Sequence, residues 1–348
     1  MKKLLALLLV LILGLTTLVG CGSDDDEIYI SVISKGFQHQ FWQTVYAGAQ
    51  SAAEYYDVSI FFDGPESEAD IAVQVNMLNN ELAKAPDAIA LAALSTHAVM
   101  SQLQEAQNRG IPIIGFDSGV PDAPAGSVYA NASTDNQAAA ALGADNLFPV
   151  IQGQIAAATS ADPVVIAVLS QDVTSESITG RTRGFAERMF QLASGVNGSV
   201  AITGGFGAIN TGSADAAVII NVVVAASADI TDMTSSAHGI FTTPGLAGVF
   251  ASNEGAANAI IATINAGTVV PDGAHIVGFD AGAGQKAAVA AGIFLGAITQ
   301  DPYQIGYQAV SLAVRAIRGE SVSDIDTGAR WWDASNMNDP VIAILLYD

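Results

Sequence analysis

Residues 88–119 read AIALAALSTHAVMSQLQEAQNRGIPIIGFDSG. An apolar run at Ala88–Leu91 gives way to a segment of helical periodicity, His97–Arg109, and then to a second apolar run, Ile113–Phe116, closed by the turn formers Asp117-Ser118-Gly119. Strand, helix and strand in that order make a βαβ unit, the connection that joins neighbouring parallel strands. Outward from it, the same alternation places strands at Tyr29–Ile33 and Val58–Phe62, with helices near Phe41–Tyr55 and Ser67–Lys84. It then repeats. A helix near Asn136–Phe148 is followed by strands at Val164–Leu169, Val200–Thr203, Gly248–Ala251 and Ile276–Gly278, separated by helices near Gly180–Leu192, Asp215–Val224, Glu254–Ala266 and Gln285–Ala291. A last strand at Phe294–Ile298 precedes a helix over Tyr303–Arg318, and Val341–Leu345 reads as a further strand. The expected class is α/β, with two Rossmann-like parallel-sheet domains.

The ends narrow the class. Met1-Lys2-Lys3 followed by an uncharged run from Leu4 to Gly20 has the make-up of an export signal and is short for a membrane span. The run ends Leu18-Val19-Gly20-Cys21, which resembles the lipobox of bacterial lipoproteins, so Cys21, the sole cysteine, is expected to be lipidated and to start the mature chain. Residues 21–27 have the polar composition of a tether. Removing residues 1–20 takes two lysines and no acid, so the formal net charge falls from −22 to −24. That charge excludes nucleic acid and an anionic membrane face as partners, because binding phosphate requires clustered Lys and Arg.

In open parallel sheets, ligands bind beyond the carboxyl ends of the strands. The residues that stand there are His39, Phe41 and Trp42, then Asp117 and Ser118, then Arg181, Asn210, Asn253, Asp280 and Gln300. Flat aromatics suit the C–H faces of a sugar, and planar polar groups suit its paired hydroxyls. Each also has a plainer reading. Phe41 and Trp42 can simply pack a helix, Asp117 and Asp280 can be helix N-caps, and Arg181 can pair with Glu176 or Glu187 on the surface. Two carboxylates and one guanidinium give such a pocket a formal charge of −1, which favours a neutral solute. Histidines at 39, 97, 238 and 275 are too scattered for a metal pair, and phosphate-loop, nucleophile-elbow and zinc-protease motifs are absent from the sequence. No cofactor, metal or catalysis is expected, although an aspartate pair could also serve a glycosidase.

With those positions set out, the chain from Ile28 to about Arg330 resembles the ribose-type class of periplasmic sugar-binding proteins, related to the effector domains of lactose-repressor-like regulators. The carriers are Gln40-Phe41-Trp42 with Gly48-Ala49, Ile111-Pro112-Ile113-Ile114-Gly115-Phe116-Asp117, Arg181-Thr182-Arg183-Gly184-Phe185, Val249-Phe250-Ala251-Ser252-Asn253-Glu254, Val277-Gly278-Phe279-Asp280 and Gln300-Asp301-Pro302-Tyr303-Gln304-Ile305-Gly306. The resemblance implies two domains, 28–133 with 301–329 and 134–300 with 330–348, joined by hinge crossings near Asn131–Asp135, Gln300–Pro302 and Ala329–Trp331. It further implies that His39, Phe41, Trp42, Asp117, Arg181, Asn253, Asp280 and Gln300, and less securely Asn210, hold a sugar in the cleft.

Ser118 stands where ribose-binding members often carry arginine, and Ala92 where they often carry asparagine, so ribose held in their manner is not expected. The segment Asp232–Pro244 and the tail with Trp331 and Trp332 look longer than their counterparts. The expected function is a monomeric extracytoplasmic lipoprotein that captures a neutral sugar or polyol and delivers it to the permease of an ABC importer. A sensory receptor presenting the ligand, and a receptor for a nucleoside or other solute, are the alternatives.

Overall fold

A computed structural model describes residues 27–37 and 39–347. The signal segment, Cys21 and Gln38 lie outside the described residues. The first sheet holds β1 (Tyr29–Ile33), β2 (Ser59–Asp63), β3 (Ala88–Leu91), β4 (Ile113–Phe116), β5 (Val128–Ser133) and the short β12 (Ile325–Asp326), numbered along the chain. Their order is β12-β5-β4-β3-β1-β2, and all pairs are parallel. The second sheet holds β6 (Val164–Ser170), β7 (Val200–Gly204), β8 (Val218–Val224), β9 (Leu246–Ala251), β10 (His275–Phe279), β11 (Gly296–Gln300) and β13 (Ala329–Trp332). Its order is β13-β11-β10-β9-β6-β8-β7, parallel except where β13 runs against β11. β3, β4 and β9 are buried along their whole length, as strands covered by helices on both faces must be.

Helices α1 (Gln40–Tyr56), α2 (Ile71–Lys84), α3 (Met100–Arg109) and α9 (Pro302–Ile317) cover the first sheet. The second is covered by α4 (Asn136–Ala157), α5 (Glu176–Ser194), α6 (Ile230–Phe241), α7 (Glu254–Asn265) and α8 (Ala283–Ala290), and the tail adds α10 (Pro340–Ala343). α1 and α9 meet backbone to backbone: a Cβ on Gly48 would fall on the carbonyl of Tyr303, and one on Gly306 on the carbonyl of Val45. The chain passes between the sheets three times, at 134–135, at Asp301 and at 327–328. Ala329–Trp331, read as the third crossing, is strand β13; the turn comes earlier, at Gly328, whose φ of +80° suits glycine.

Two elements differ in type from the sequence reading. Asp215–Val224, read as a helix, contains strand β8, six of whose seven residues are β-branched and whose burial alternates along Val218–Val222. Val341–Leu345, read as a strand, overlaps helix α10: Pro340 takes its first position and the Asp339 side chain accepts from Val341 N at 2.8 Å. Phe294–Ile298 is strand only from Gly296. The long segment Asp232–Pro244 is mostly α6, packed on α7.

Candidate binding site

The site forms where the carboxyl ends of the two sheets face each other. β4 ends at Asp117 and β10 at Asp280, and both aspartates take positive φ, 54° and 78°. Non-glycine residues pay a conformational cost in that region, and such strain gathers at functional positions. Neither is an N-cap of its own helix. Asp280 Oδ2 instead accepts from Glu254 N at 2.9 Å, the first amide of α7, while Asn253 caps that helix through Ala256 N at 3.0 Å.

Arg181 lies between them. Its Nη2 stands 3.7 Å from Asp117 Oδ1 and its Nη1 3.7 Å from Asp280 Oδ2. Nε donates to Asn136 Oδ1 at 2.8 Å, and the guanidinium stacks on Phe279, 4.0 Å from the ring centre. It is 2 % exposed, so the surface pairing with Glu176 or Glu187 does not describe it; Glu187 pairs with Arg183. Ion pairs of 3.7 Å are too long for hydrogen bonds and leave acceptor capacity free.

The cavity at this junction is lined by His39, Phe41, Trp42, Asp117, Arg181, Asn253, Asp280 and Gln300, together with Lys35, Glu68 and Glu254. Eight of the ten positions singled out in the sequence thus come together. Asn210 does not. It is exposed, its Nδ2 donates to Gly204 O at 3.1 Å, and it follows β7, an edge strand whose end lies away from the junction. Ser118 is fully buried beside the cavity, where its hydroxyl accepts from Ser177 N at 3.3 Å across the two halves. Phe41 and Trp42 do both jobs: they pack edge to face at 5.0 Å within the core and also reach the cavity.

The three additional charged residues complete the electrostatics. Lys35 Nζ lies 3.1 Å from Asp117 Oδ2 and donates to Ser177 Oγ at 3.0 Å. Glu68 accepts from Trp42 Nε1 at 2.8 Å and from Gln171 Nε2 at 2.9 Å, with His39 Nε2 at 3.9 Å. Burial would raise Glu68, but Lys35 and His39 with those hydrogen bonds outweigh it and hold the carboxyl below its ordinary range. Burial would lower Lys35, but Asp117 and Glu68 outweigh it and raise the ammonium. Burial raises both Asp280 and Glu254. Four carboxylates against two fixed cations leave the lining more acidic than the two-carboxylate reading of the sequence, and still hostile to an anion.

Two acceptors in the lining have no aligned hydrogen bond: Gln300 Oε1, whose amide Nε2 is spent on Asp280 Oδ1 at 2.7 Å, and Asp117 Oδ2, which has only the off-axis Lys35 ammonium. Gln300 and Asp117 are 1 % and 2 % exposed, so any further partner they take must sit inside the cavity. Buried oxygens in that state are costly and await a donor.

The tail buttresses the site. Trp332 Nε1 donates to Asp280 O at 3.3 Å, Tyr347 Oη accepts from Ala281 N at 3.2 Å, and the Tyr347 ring meets Phe41 at 6.3 Å. Among the described residues no group of three His, Cys, Asp or Glu side chains gathers as a metal cage.

Glu254 gives a pH prediction. It accepts from Phe41 N at 3.3 Å across the two halves, and burial, with Asp280 adding, raises its pKa in the fold. A carboxylate raised on folding stabilises below its unfolded pKa of about 4.3 and loses that contribution as pH rises through the folded value. Glu254→Gln is therefore expected to raise Tm at pH 7.5, with the gain shrinking as pH falls towards about 4. A gain that grows on acidification would reverse the assignment.

Residues 30–321 match the periplasmic binding protein domain. The chain belongs to the periplasmic binding protein family. It is a solute-binding protein and not an enzyme. Similar solved structures include one described as an ABC transporter, LacI family transcriptional regulator from Brachyspira murdochii, 41 % identical over 92 % of this chain and 99 % of that one, with a TM-score of 0.77. A carbohydrate transporter solute-binding protein from Agrobacterium radiobacter in complex with D-arabinose is 26 % identical over 92 % and 99 %, TM-score 0.77. An ABC transporter solute-binding protein from Agrobacterium vitis with bound D-fucose is 26 % identical over 92 % and 100 %, TM-score 0.76. The architecture above is that of type I periplasmic binding proteins, and the family places its members outside the cytoplasm. Among the described residues of this binding protein, no helix is long and apolar enough to cross a membrane.

Proposed function

We propose that the chain is a lipid-anchored receptor, held at the membrane through Cys21, that captures a neutral monosaccharide or polyol and hands it as a monomer to the permease of an ABC importer. The observation that carries the solute class is the Gln300 acceptor Oε1, buried without a hydrogen bond, facing one small cavity together with Asp117 Oδ2, whose close partner is the Lys35 ammonium, beside the buried Arg181 and the Phe41-Trp42 pair. Hydroxyl groups satisfy such acceptors without adding charge, and a carboxylate or phosphate would meet four carboxylates. The sugars held by the two Agrobacterium relatives are in keeping with this.

Capture works by closure. The cavity measures about 20 Å³, room for a water and not for a sugar ring. Solute therefore enters when domain 28–133 with 301–329 swings away from domain 134–300 with 330–348 about the three crossings. Closing brings Lys35 to Ser177, Glu68 to Gln171, and Thr174 to Leu94 O at 3.0 Å, and the solute tips that equilibrium by touching both halves.

A thermal-shift screen against D-arabinose, D-fucose, D-tagatose, other pentoses and hexoses, inositols, nucleosides and polyamines tests the reading. One neutral sugar or inositol is expected to raise Tm by mass action, with a concentration dependence that follows its Kd. A shift with nucleosides or polyamines alone would replace the solute class.

A further inference from the structure

Next to the inner cavity lies a larger chamber of about 240 Å³. Ala69, in the connection between β2 and α2, and Ile71, the first residue of α2, wall it on one side, and Val173, Val224, Ala226 and Ala228 on the side of the opposite half. Glu68 lines both spaces, and it accepts a 2.9 Å bond from Gln171, which lines the larger one. Gln171 is in turn held by Asn253 Nδ2 at 2.6 Å, and Asn253 lines the inner cavity, so a side-chain relay links the walls of the two spaces.

The two spaces differ in what they offer. In the chamber the polar side chains are already engaged: Asp172 Oδ1 accepts from Thr174 N and Ser175 N, both at 2.8 Å, Thr174 Oγ1 donates to Leu94 O, and Ser227 Oγ donates to Asp232 Oδ2 at 2.7 Å. None of the buried side-chain oxygens without a hydrogen bond among the described residues lies on its wall, whereas two, Gln300 Oε1 and the Lys35-paired Asp117 Oδ2, lie on the inner cavity. The apolar groups of Ala69, Ile71, Val173, Val224, Ala226 and Ala228 supply the larger part of what an occupant would meet. A cavity of roughly 150 Å³ takes a benzene molecule, so this cleft, which opens to solvent at Val173 and Ala226, is large enough for a phenyl ring.

We propose that the solute is a glycoside, its hydroxylated ring in the inner cavity and an apolar aglycone, up to a phenyl group, in the chamber. The proposal rests on the sugar-binding reading and names the substrate class of that site. Because the chamber walls come from both halves, an aglycone buries apolar surface only in the closed form, and so favours closure.

Titration calorimetry on the protein would compare D-fucose, D-arabinose, D-galactose and D-glucose with their methyl and phenyl α- and β-glycosides. At least one phenyl glycoside is expected to bind ten-fold or more tightly than its parent sugar, in line with roughly four-fold per buried methylene. Ala226→Trp, which fills the chamber from its exposed side, is expected to cancel that gain while the parent sugar's Kd stays within two-fold. Val173→Ser, a milder change whose fold is checked by thermal melting, is expected to reduce it. A parent sugar that binds with no glycoside exceeding its affinity overturns the proposal, as does a gain that survives both variants. If neither sugars nor glycosides bind, the sugar-binding reading itself falls and the proposal with it.

Discussion

Arg181→Met is expected to weaken solute binding by at least two orders of magnitude while the chain still folds. The guanidinium stands between Asp117 and Asp280 and is held by Asn136 Oδ1 and by stacking on Phe279. Methionine can fill part of that volume but supplies neither charge nor donors. Removing one partner of a buried ion pair costs about 3–5 kcal/mol, because the remaining charges stay desolvated and unpaired. Here two carboxylates would be left with Lys35 as the cation within reach of one of them.

Most of that cost belongs to the closed form. Asp117 follows β4 of the first sheet, and Arg181 projects from α5 against the second, so opening separates that pair and returns Asp117 to water. The penalty should therefore appear in Kd more than in the melting of the solute-free protein. Arg181→Lys keeps the charge but not the planar fork, and is expected to fall between the two. Calorimetric Kd values with the best solute from the screen, beside melting curves, separate the two effects. Wild-type affinity in Arg181→Met would remove this residue from the binding site.

Gly306→Val is expected to be the most damaging single change to stability. A Cβ at Gly306 falls on the carbonyl of Val45, and one at Gly48 on the carbonyl of Tyr303, so α1 and α9 are in backbone contact at both points. Neither obstacle is the movable end of a side chain. The helices would have to separate, breaking the contact among Val45, Ala49, Ile305 and Ala309 in the core of the first sheet. Overpacking costs about 1–3 kcal/mol where side chains can yield, and more where they cannot. We expect about 3 kcal/mol or more, or failure to fold, measured by thermal and urea melting. Gly153→Ala is the control: it lies within α4 with nothing near its Cβ, and should be neutral or stabilising by about 0.5–1 kcal/mol. Equal melting temperatures for Gly306→Val and the wild type would mean that the helices do not touch there.

The cavity-lining residues that could be read in advance share one property: each stands at or just beyond the end of a buried strand or within the first two turns of the following helix. Strands such as Ile113–Phe116 and Val164–Ser170 declare themselves by apolar and β-branched runs, and chain direction then decides which end carries the site. Asp117, Asp280, Asn253 and Gln300 were legible for that reason. Lys35 satisfied the same rule, two residues after Ile33, and a lysine closing an apolar run was the signal that could have found it. Asn210 satisfied it loosely and lies outside the cavity, because whether a strand is central or at an edge depends on strand order, which no local pattern encodes.

The sequence by itself determined the α/β alternation, the doubling of the sheet, the acidic charge and the polar set at the strand ends, since all of these are local or additive properties of the chain. Tertiary structure alone decided that Glu68, on a loop, and Glu254, at a helix start, join that set, and that Gly48 and Gly306 serve a helix crossing. It also decided that the tail residues Trp332 and Tyr347 support Asp280 and its neighbour Ala281. These depend on contacts between residues far apart in the chain, and their physical effects, desolvation, ion pairing and backbone exclusion, exist only once both partners are in place.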